Sequence, residues 1–443
     1  MDPVPIVKSY GTFLTNDKYK YTIFKSVENA TPVASKLVTK TLPEVFNPID
    51  QWGNLLTSIQ NQGECNCCWA TSTASALTDR LCILSLAQFF EGLSPYEMIM
   101  CQGAIIVDTI VDNTKIVSDA IIKKINEEAH SRGACNGNSL YNAMDFLYTF
   151  GVTTNRCVNE GEFAKHGIKK LTEINPDEVP LCQTAVGPEY DTCLDGTSAA
   201  RFYRIAAGYI VNATVDAIKQ EIYKWGPVVG AFQVFDDFLH EYDGKSIYMG
   251  PADASETPSS VSVGHAVKIM GWGHEEVDGE RVDFWWLANS WGTEWGLSGY
   301  FKMKMNITAC QLEQNVVAFV PDIEGMSTSY LLYEVKPNPF LDAIRDKFSV
   351  DRRTGYRTIA IDKIKRGILR GNLDDPICRF VPDFKTMWAG EISRQDVASN
   401  YLRIAHFSKE TKTMSGWYVV AVMIACVAFF FIGIKMKRTI RPF

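Results

Sequence analysis

Three cysteines fall within four positions at Cys65-Asn66-Cys67-Cys68, and Trp69 and the small-residue run 70–77 follow at once. That run is suited to a helix, and it places Cys68 in the helix's first turn. Unpaired backbone N–H groups and the helix dipole favour negative charge there. The thiolate is the reactive form of cysteine, so the position readies this sulfur for attack. Gln62 stands six residues earlier, where its side-chain amide can donate to an oxyanion.

A thiol nucleophile needs a base and a group that orients the base. His265 lies in the apolar run Val263-Gly264-His265-Ala266-Val267, which reads as a buried strand. Asn289 ends a second strand-like run, Trp285-Trp286-Leu287-Ala288-Asn289, before Ser290-Trp291-Gly292. Cys, His and Asn in this order supply nucleophile, base and the amide that fixes the imidazole tautomer. Singly, each has a bland explanation: a packed thiol, a core histidine, a turn-forming amide. Together with Gln62 they point to acyl transfer. A zinc site built from Cys65, Cys67 and Cys68 is the metal alternative, but zinc knuckles space their ligands more widely. No metal and no cofactor are expected.

At these residues the sequence resembles the papain family of cysteine peptidases, and within it the cathepsin B-like members. Leu42-Pro43-Glu44-Val45-Phe46 resembles their mature start. Ile222-Tyr223-Lys224-Trp225-Gly226-Pro227-Val228-Val229-Gly230-Ala231-Phe232 resembles their central strand, with Asp237-Phe238-Leu239 after it. Asn289-Ser290-Trp291-Gly292-Thr293-Glu294-Trp295-Gly296 and Cys310 with Val316-Val317-Ala318 complete the likeness, which covers residues 42–321. The resemblance implies an α+β, two-lobed fold: a helical lobe around Cys68 and a twisted antiparallel β-barrel lobe bearing His265 and Asn289. An extended peptide binds in the cleft between them. Substrate-binding roles fall on Gly137, Asn138, Trp291 and Asn315. It also implies that Cys65 pairs with Cys135, and Cys101 with Cys182 or Cys193. The family's paired loop histidines have no counterpart here beyond His166, which implies an endopeptidase. Asn315 stands where those relatives carry a glutamate that accepts arginine, so apolar side chains are expected two residues upstream of the cut.

Asn66, Cys67, Thr71 and Asn138 depart from the family pattern. They are the best support for a competing reading, a membrane-anchored binding or structural protein on a degenerate peptidase fold. Cys67, beside the nucleophile, reads as a small packing residue, with a mixed disulfide or an oxidation trap as the alternatives.

The 443 residues accommodate an enzyme with appendages, and 46% hydrophobic residues support a large core. A net charge of −7 with interspersed signs argues against nucleic acid as a partner. The 12 cysteines favour an oxidising compartment. Residues 1–41 form an N-terminal extension without a secretory pattern, short for an inhibitory segment. Strands are expected at 202–211, 228–234, 265–272, 284–287 and 300–305, and 105–133 reads as an insertion. Residues 322–416 read as a stalk. Residues 417–434 are uncharged and apolar, are bordered by the basic tail 435–443, and read as a span of the lipid bilayer. Disulfides and the sequons at Asn29, Asn212 and Asn306 favour a non-cytosolic catalytic domain on a single-pass membrane protein. The anchor and short leader suggest a peptidase encoded by a large DNA virus, acting on peptide or protein substrates.

Overall fold

In the computed structural model two short strands, β1 (Thr12–Phe13) and β2 (Ala30–Pro32), precede helix α1 (Pro48–Trp52). The structure describes residues 42–84, 89, 91–99, 135, 137–158, 193–195, 200–252 and 263–324, with residues 12–13, 30–32, 333–335, 342, 345 and 359–360. All belong to one unit, Met1–Glu391; the second unit, Ile392–Phe443, lies outside the described residues. So do Asn29, Cys101, His166, Cys182, the expected span 417–434 and the tail 435–443. Among the described residues no helix is long and apolar enough to cross a membrane.

Asn47 starts α1 by accepting the Ile49 N–H at 3.0 Å, with Pro48 at the position that needs no donor. Helix α2 (Cys68–Leu84) follows. It is buried although five of its first eleven residues are serine or threonine. The hydroxyls of Thr71, Thr73 and Thr78 return to the carbonyls of Cys67, Trp69 and Ala74 at 3.2, 2.7 and 2.8 Å, so burial leaves them satisfied. Strand β3 (Asn138–Ser139) runs into α3 (Leu140–Thr149), which Ser139 caps by accepting the Asn142 N–H at 3.1 Å. After β4 (Ile205–Ile210), Thr214 caps α4 (Val215–Trp225). Gly226, at φ 104°, ends that helix and Pro227 follows it into β5 (Val228–Gln233). The stretch 222–232, expected as one central strand, is therefore a helix end, a glycine stop and a strand. Helix α5 (Asp236–His240) and strands β6 (Ile247–Tyr248), β7 (Val263–Val277), β8 (Glu280–Ala288), β9 (Tyr300–Lys304) and β10 (Val316–Pro321) complete the catalytic region.

The sheet order is β4-β10-β5-β7-β8-β9-β6, with β1 joined to β3 and β7. Its neighbours are antiparallel except for the parallel pairs β6–β9 and β1–β3. The expected antiparallel barrel is thus corrected to a mixed sheet, and among the described residues no pairing closes β4 onto β6. Strand β7 also runs past the expected end at Trp272. Its charged continuation, His274-Glu275-Glu276, pairs with β8 as a hairpin. Asp278 and Gly279, at φ 55° and 83°, supply the two left-handed residues that a tight hairpin turn needs. An aromatic cluster including Phe232, Phe238, Trp291, Trp295 and Phe301 packs under this sheet beside His265.

Arg80 of α2 is fully buried. Its guanidinium bonds Glu221 at 3.1 Å, the carbonyls of Pro227 and Gly226 at 2.6 and 3.1 Å, and that of Phe319. One side chain thereby ties α2 to α4, to the α4–β5 turn and to β10. Glu221 also accepts the Tyr209 hydroxyl at 2.8 Å. Arg80→Met leaves Glu221 buried without its charge partner, an outcome that costs about 3–5 kcal/mol for such pairs. Chemical denaturation should show a loss of that size; a loss below about 1 kcal/mol contradicts the anchoring role.

Cys65 and Cys135 form the expected disulfide. Among the described residues a further disulfide joins Cys157 to Cys193, which rules out the expected closure of Cys101 by Cys193; the other expected closure, by Cys182, lies outside the described residues. Cys157 sits in the turn Asn155-Arg156-Cys157, where Leu194 N bonds its carbonyl at 3.0 Å and ties the two chain segments together.

Beyond Pro321 come β11 (Ile323–Glu324), β12 (Tyr333–Val335) and β13 (Ile359–Ala360). β11 pairs with β13, and β12 pairs with β2 of the N-terminal extension. Arg345 reaches back to the carbonyls of Tyr148 and Ile205 at 3.1 and 2.7 Å, lies 4.5 Å from the Tyr148 ring, and pairs with Asp322. The Tyr148 hydroxyl donates to Asp342. Part of the region expected as a stalk therefore packs on the end of α3.

Candidate active site

Cys68 is the first residue of α2, and its sulfur accepts the Ala266 N–H of β7 at 3.4 Å. A sulfur on the first residue of a helix that also accepts a backbone N–H is held where its anion is favoured. His265 precedes Ala266 on the same strand. Its Nε2 meets Asn289 Oδ1 at 2.7 Å. An amide oxygen accepts, so Nε2 carries the proton and Nδ1 is left with its lone pair. Nδ1 is buried and has no hydrogen-bond partner. The ring stacks on Trp291 at 4.8 Å and meets the edge of Phe232 at 5.8 Å. Burial pushes the imidazole down to about 4, against the raising effect of the Asn289 bond.

Asn289 follows β8 directly. Its N–H bonds the Gly299 carbonyl at 2.9 Å, and its Oδ1 also accepts the Ser290 N–H at 2.8 Å. Gln62 is fully buried. Its backbone N–H bonds the Ser290 carbonyl at 2.9 Å, its Nε2 donates to the Cys65 carbonyl at 2.8 Å, and its Oε1 accepts from the Ser290 hydroxyl. A side-chain amide has two N–H donors, so one remains. Gly292 N also bonds the Gln60 carbonyl at 3.0 Å. The loop before α2 and the loop after β8 are thus stitched together, and Cys68, His265, Asn289 and Gln62 meet at one place.

The positions that depart from the family pattern are absorbed locally. Cys67 is a buried thiol, pushed well above its ordinary range by burial and by the neighbouring Cys68 charge, which keeps it unreactive. Thr71 bonds back to the helix. Asn138 turns its side chain to Asn142 at 2.6 Å. Gly137 takes φ 80°, and the backbone of β3 faces β1. Asn315 is buried, its Nδ2 donating to the Gln311 carbonyl at 2.7 Å. Asn212 and Asn306 are exposed. Among the described residues no group of His, Cys, Asp or Glu is arranged to hold a metal ion.

Strand β1 lies between β3 and β7. Thr12 pairs with Asn138 on one side and Gly264 on the other; Phe13 pairs with Ser139 and Val263. A strand-shaped slot runs between the helical side and the sheet side, next to His265, and the chain's own N-terminal segment fills it. Sequence reasoning did not anticipate this. It also missed Ser72, Ser75, Asp79 and Lys268, which line the junction of α2 with β7. Their signal was the spacing Cys68, Ser72, Ser75, Asp79, one polar stripe at helical period.

A thiol at a helix N-terminus beside an amide-held imidazole, on a helix packed across a mixed sheet, defines a cysteine peptidase of the α+β class. The chain belongs to the papain family: residues 42–320 match the family described as "Papain family cysteine protease". It is similar to "Cathepsin B-like cysteine proteinase 3" of Caenorhabditis elegans, 30% identical over 308 residues, 67% of this chain and 71% of that one. It is 32% identical to "Cathepsin B-like cysteine proteinase 2" of Haemonchus contortus over 300 residues, 64% of this chain and 75% of that one. The solved structure of "proCathepsin B S9 from Trypanosoma congolense" aligns at TM-score 0.48 and 23% identity, covering 70% of this chain and 93% of that one. The protein is a cathepsin B-like cysteine peptidase, a hydrolase whose substrates are proteins. These relatives do not bear on the expectation of a viral origin.

Proposed function

We propose that this chain is an endopeptidase that works through Cys68, His265 and Asn289, with Gln62 in the oxyanion site. The observation that carries the reading is the 2.7 Å bond from His265 Nε2 to Asn289 Oδ1, which leaves Nδ1 as the proton-carrying atom for a thiol on the neighbouring helix end. The Cys68 thiol passes its proton to Nδ1, and the thiolate adds to the scissile carbonyl carbon. The oxyanion is held by first-turn N–H groups of α2 and the second N–H of Gln62 Nε2, a donor type worth about 2.7–4 kcal/mol where it has been removed. Imidazolium Nδ1–H protonates the departing amine. The emptied Nδ1 then takes a proton from water, which adds to the thioester and releases the acid and the thiol.

Asn289 keeps the imidazole in the tautomer that makes this possible, and Trp291 keeps water from their bond. The slot that β1 occupies offers backbone partners from Asn138 and Gly264 to an extended substrate. The buried, neutral Asn315 amide offers no ion pair to a basic side chain. The disulfides Cys65–Cys135 and Cys157–Cys193 fit an oxidising, non-cytosolic compartment. A degenerate scaffold is disfavoured, because every group the chemistry requires is present and mutually oriented.

The test is a library of internally quenched peptides with free and amide-capped C-termini. Cleavage should survive the amide cap and should favour apolar residues over arginine two positions upstream of the cut. Loss of cleavage on capping, or a profile dominated by arginine, overturns the specificity reading.

A further inference from the structure

The face of α2 that meets β7 is polar where an apolar seam would serve. Cys68, Ser72, Ser75 and Asp79 stand at i, i+4, i+7 and i+11, so they share one side of the helix. Each touches β7. The Cys68 sulfur accepts the Ala266 N–H, and the Ser72 hydroxyl donates to the Ala266 carbonyl at 2.9 Å. Lys268, two residues further along, donates to Ser75 Oγ at 2.8 Å and to the Asp79 carboxylate. Its third bond goes to Thr57 Oγ1 at 3.0 Å, and Thr57 N in turn donates to Asp79 Oδ1 at 2.6 Å. Side-chain exposure is 3% for Lys268 and 0% for Asp79. Ser72, Ser75 and Lys268 also line a small cavity that reaches Asn289, whose Nδ2 is buried with no hydrogen-bond partner.

A buried ion pair is a poor source of net stability, since apolar residues of similar volume often serve as well or better. Its strength is geometric. An ammonium has three donors, and here three acceptors from two segments receive them, so the side chain has one placement. A methionine–leucine pair would hold helix and strand together but would permit small slides along the seam. Lys268 is three residues from His265 and Asp79 is eleven from Cys68, so the lock sits behind the reacting pair on the same two elements.

We infer that Lys268 and Asp79, with Ser75 and Thr57, are positioning residues that set the register of β7 on α2 and hence the placement of His265 against Cys68. The inference rests on the reading of Cys68 and His265 as the reacting pair. It gives the stripe a purpose beyond folding: the lock keeps the imidazole in attack geometry, where a displacement on the order of 1 Å can cost about 100-fold in rate.

The test uses the full chain, under the conditions that give the wild type its highest rate on a quenched peptide. Active thiols are counted by titration with the epoxide E-64. Lys268→Met/Asp79→Leu removes both charges together and leaves none unpaired. The variant should fold, keep KM within about 2-fold, and lose about 10- to 100-fold in kcat per titrated thiol. Lys268→Arg should retain most of kcat. If the double variant keeps kcat per titrated thiol within about 2-fold of wild type, the lock is merely structural and the inference is overturned. Should that variant not fold, Ser75→Ala removes one acceptor at little cost in volume. It should lower kcat about 3-fold at unchanged KM, and an unchanged kcat overturns the inference equally. Cys68→Ala and His265→Ala run alongside. Full activity in either sinks the reading of the reacting pair, a failure distinct from that of the lock.

Discussion

Cys68→Ala lowers peptide cleavage by the full chain by about 10⁴-fold or more and abolishes covalent capture by E-64, with the fold intact. The size of the effect follows from the site. In the proposed mechanism the sulfur is the nucleophile, and its neighbour Cys67 does not stand in for it, being buried and pushed well above its ordinary range. The variant folds because alanine fits a fully buried first-turn position and α2 is held elsewhere, by Arg80 and by the threonine back-bonds. His265→Ala acts through the same sulfur. Without Nδ1 the thiol keeps its proton and the leaving amine has no acid, so capture of Cys68 by the epoxide slows together with peptide cleavage. Mass mapping of the labelled cysteine, with rates on one quenched peptide, measures both. If Cys68→Ala retains more than about 1% of wild-type cleavage, another nucleophile does the chemistry.

The residues that carry this prediction were legible in the chain because each sits in a local pattern with a physical reason. A cysteine ahead of a small-residue run announces a helix N-terminus. An apolar run around His265 announces a buried strand. Cys65 and Cys135 were legible through resemblance and Cys157 was not, since a turn cysteine with no patterned neighbours looks like any other. The outer half of β7 was missed because His274-Glu275-Glu276 carries no apolar alternation. It is a strand because the Asp278-Gly279 turn folds β8 back onto it. The end of α4 was taken into the strand by resemblance alone; Ile222-Tyr223-Lys224-Trp225 suits either period over four residues, and Thr214 and Gly226, outside that window, make it helix. The lock behind the site was hidden for a different reason. Serines and threonines in a helix suggest exposure, and burying them needs partners from β7, which for Ser72 and Ala266 lie 194 residues apart. The pairing of residues 12–13 with both walls of the slot was equally out of reach, because it is a contact between segments with no local signature.

That pairing produces the second large effect: the intact chain is latent at neutral pH and opens as the medium is acidified. Thr12 and Phe13 use both backbone edges, one toward Asn138 and Ser139, the other toward Gly264 and Val263, so the segment fills the slot that the proposed function assigns to an extended substrate. It also acts on the chemistry. With the site covered, burial holds His265 at about 4, and the neutral imidazole cannot pair with a thiolate. Once the segment leaves, water reaches the ring and the value returns toward 6.5. The sign follows by linkage. The covered form binds fewer protons than the open form between about pH 6.5 and 4, so its advantage is complete above about 6.5 and falls as pH drops through that window. Across the whole window the loss approaches about 3 kcal/mol, a shift of about 100-fold in the ratio of covered to open chains. The rate of E-64 capture at Cys68 in the intact chain should therefore rise steeply between pH 7 and 4.5. Thr12→Pro/Phe13→Pro removes the two N–H groups of a strand paired on both sides, where proline is not accommodated. This variant should be captured about 10- to 100-fold faster than wild type at pH 7 and should show little further gain on acidification. A double-proline variant that is captured as slowly as wild type at pH 7 refutes the latch. A wild type whose capture rate does not change over the window separates the latch, which then stands, from its control by His265, which then does not.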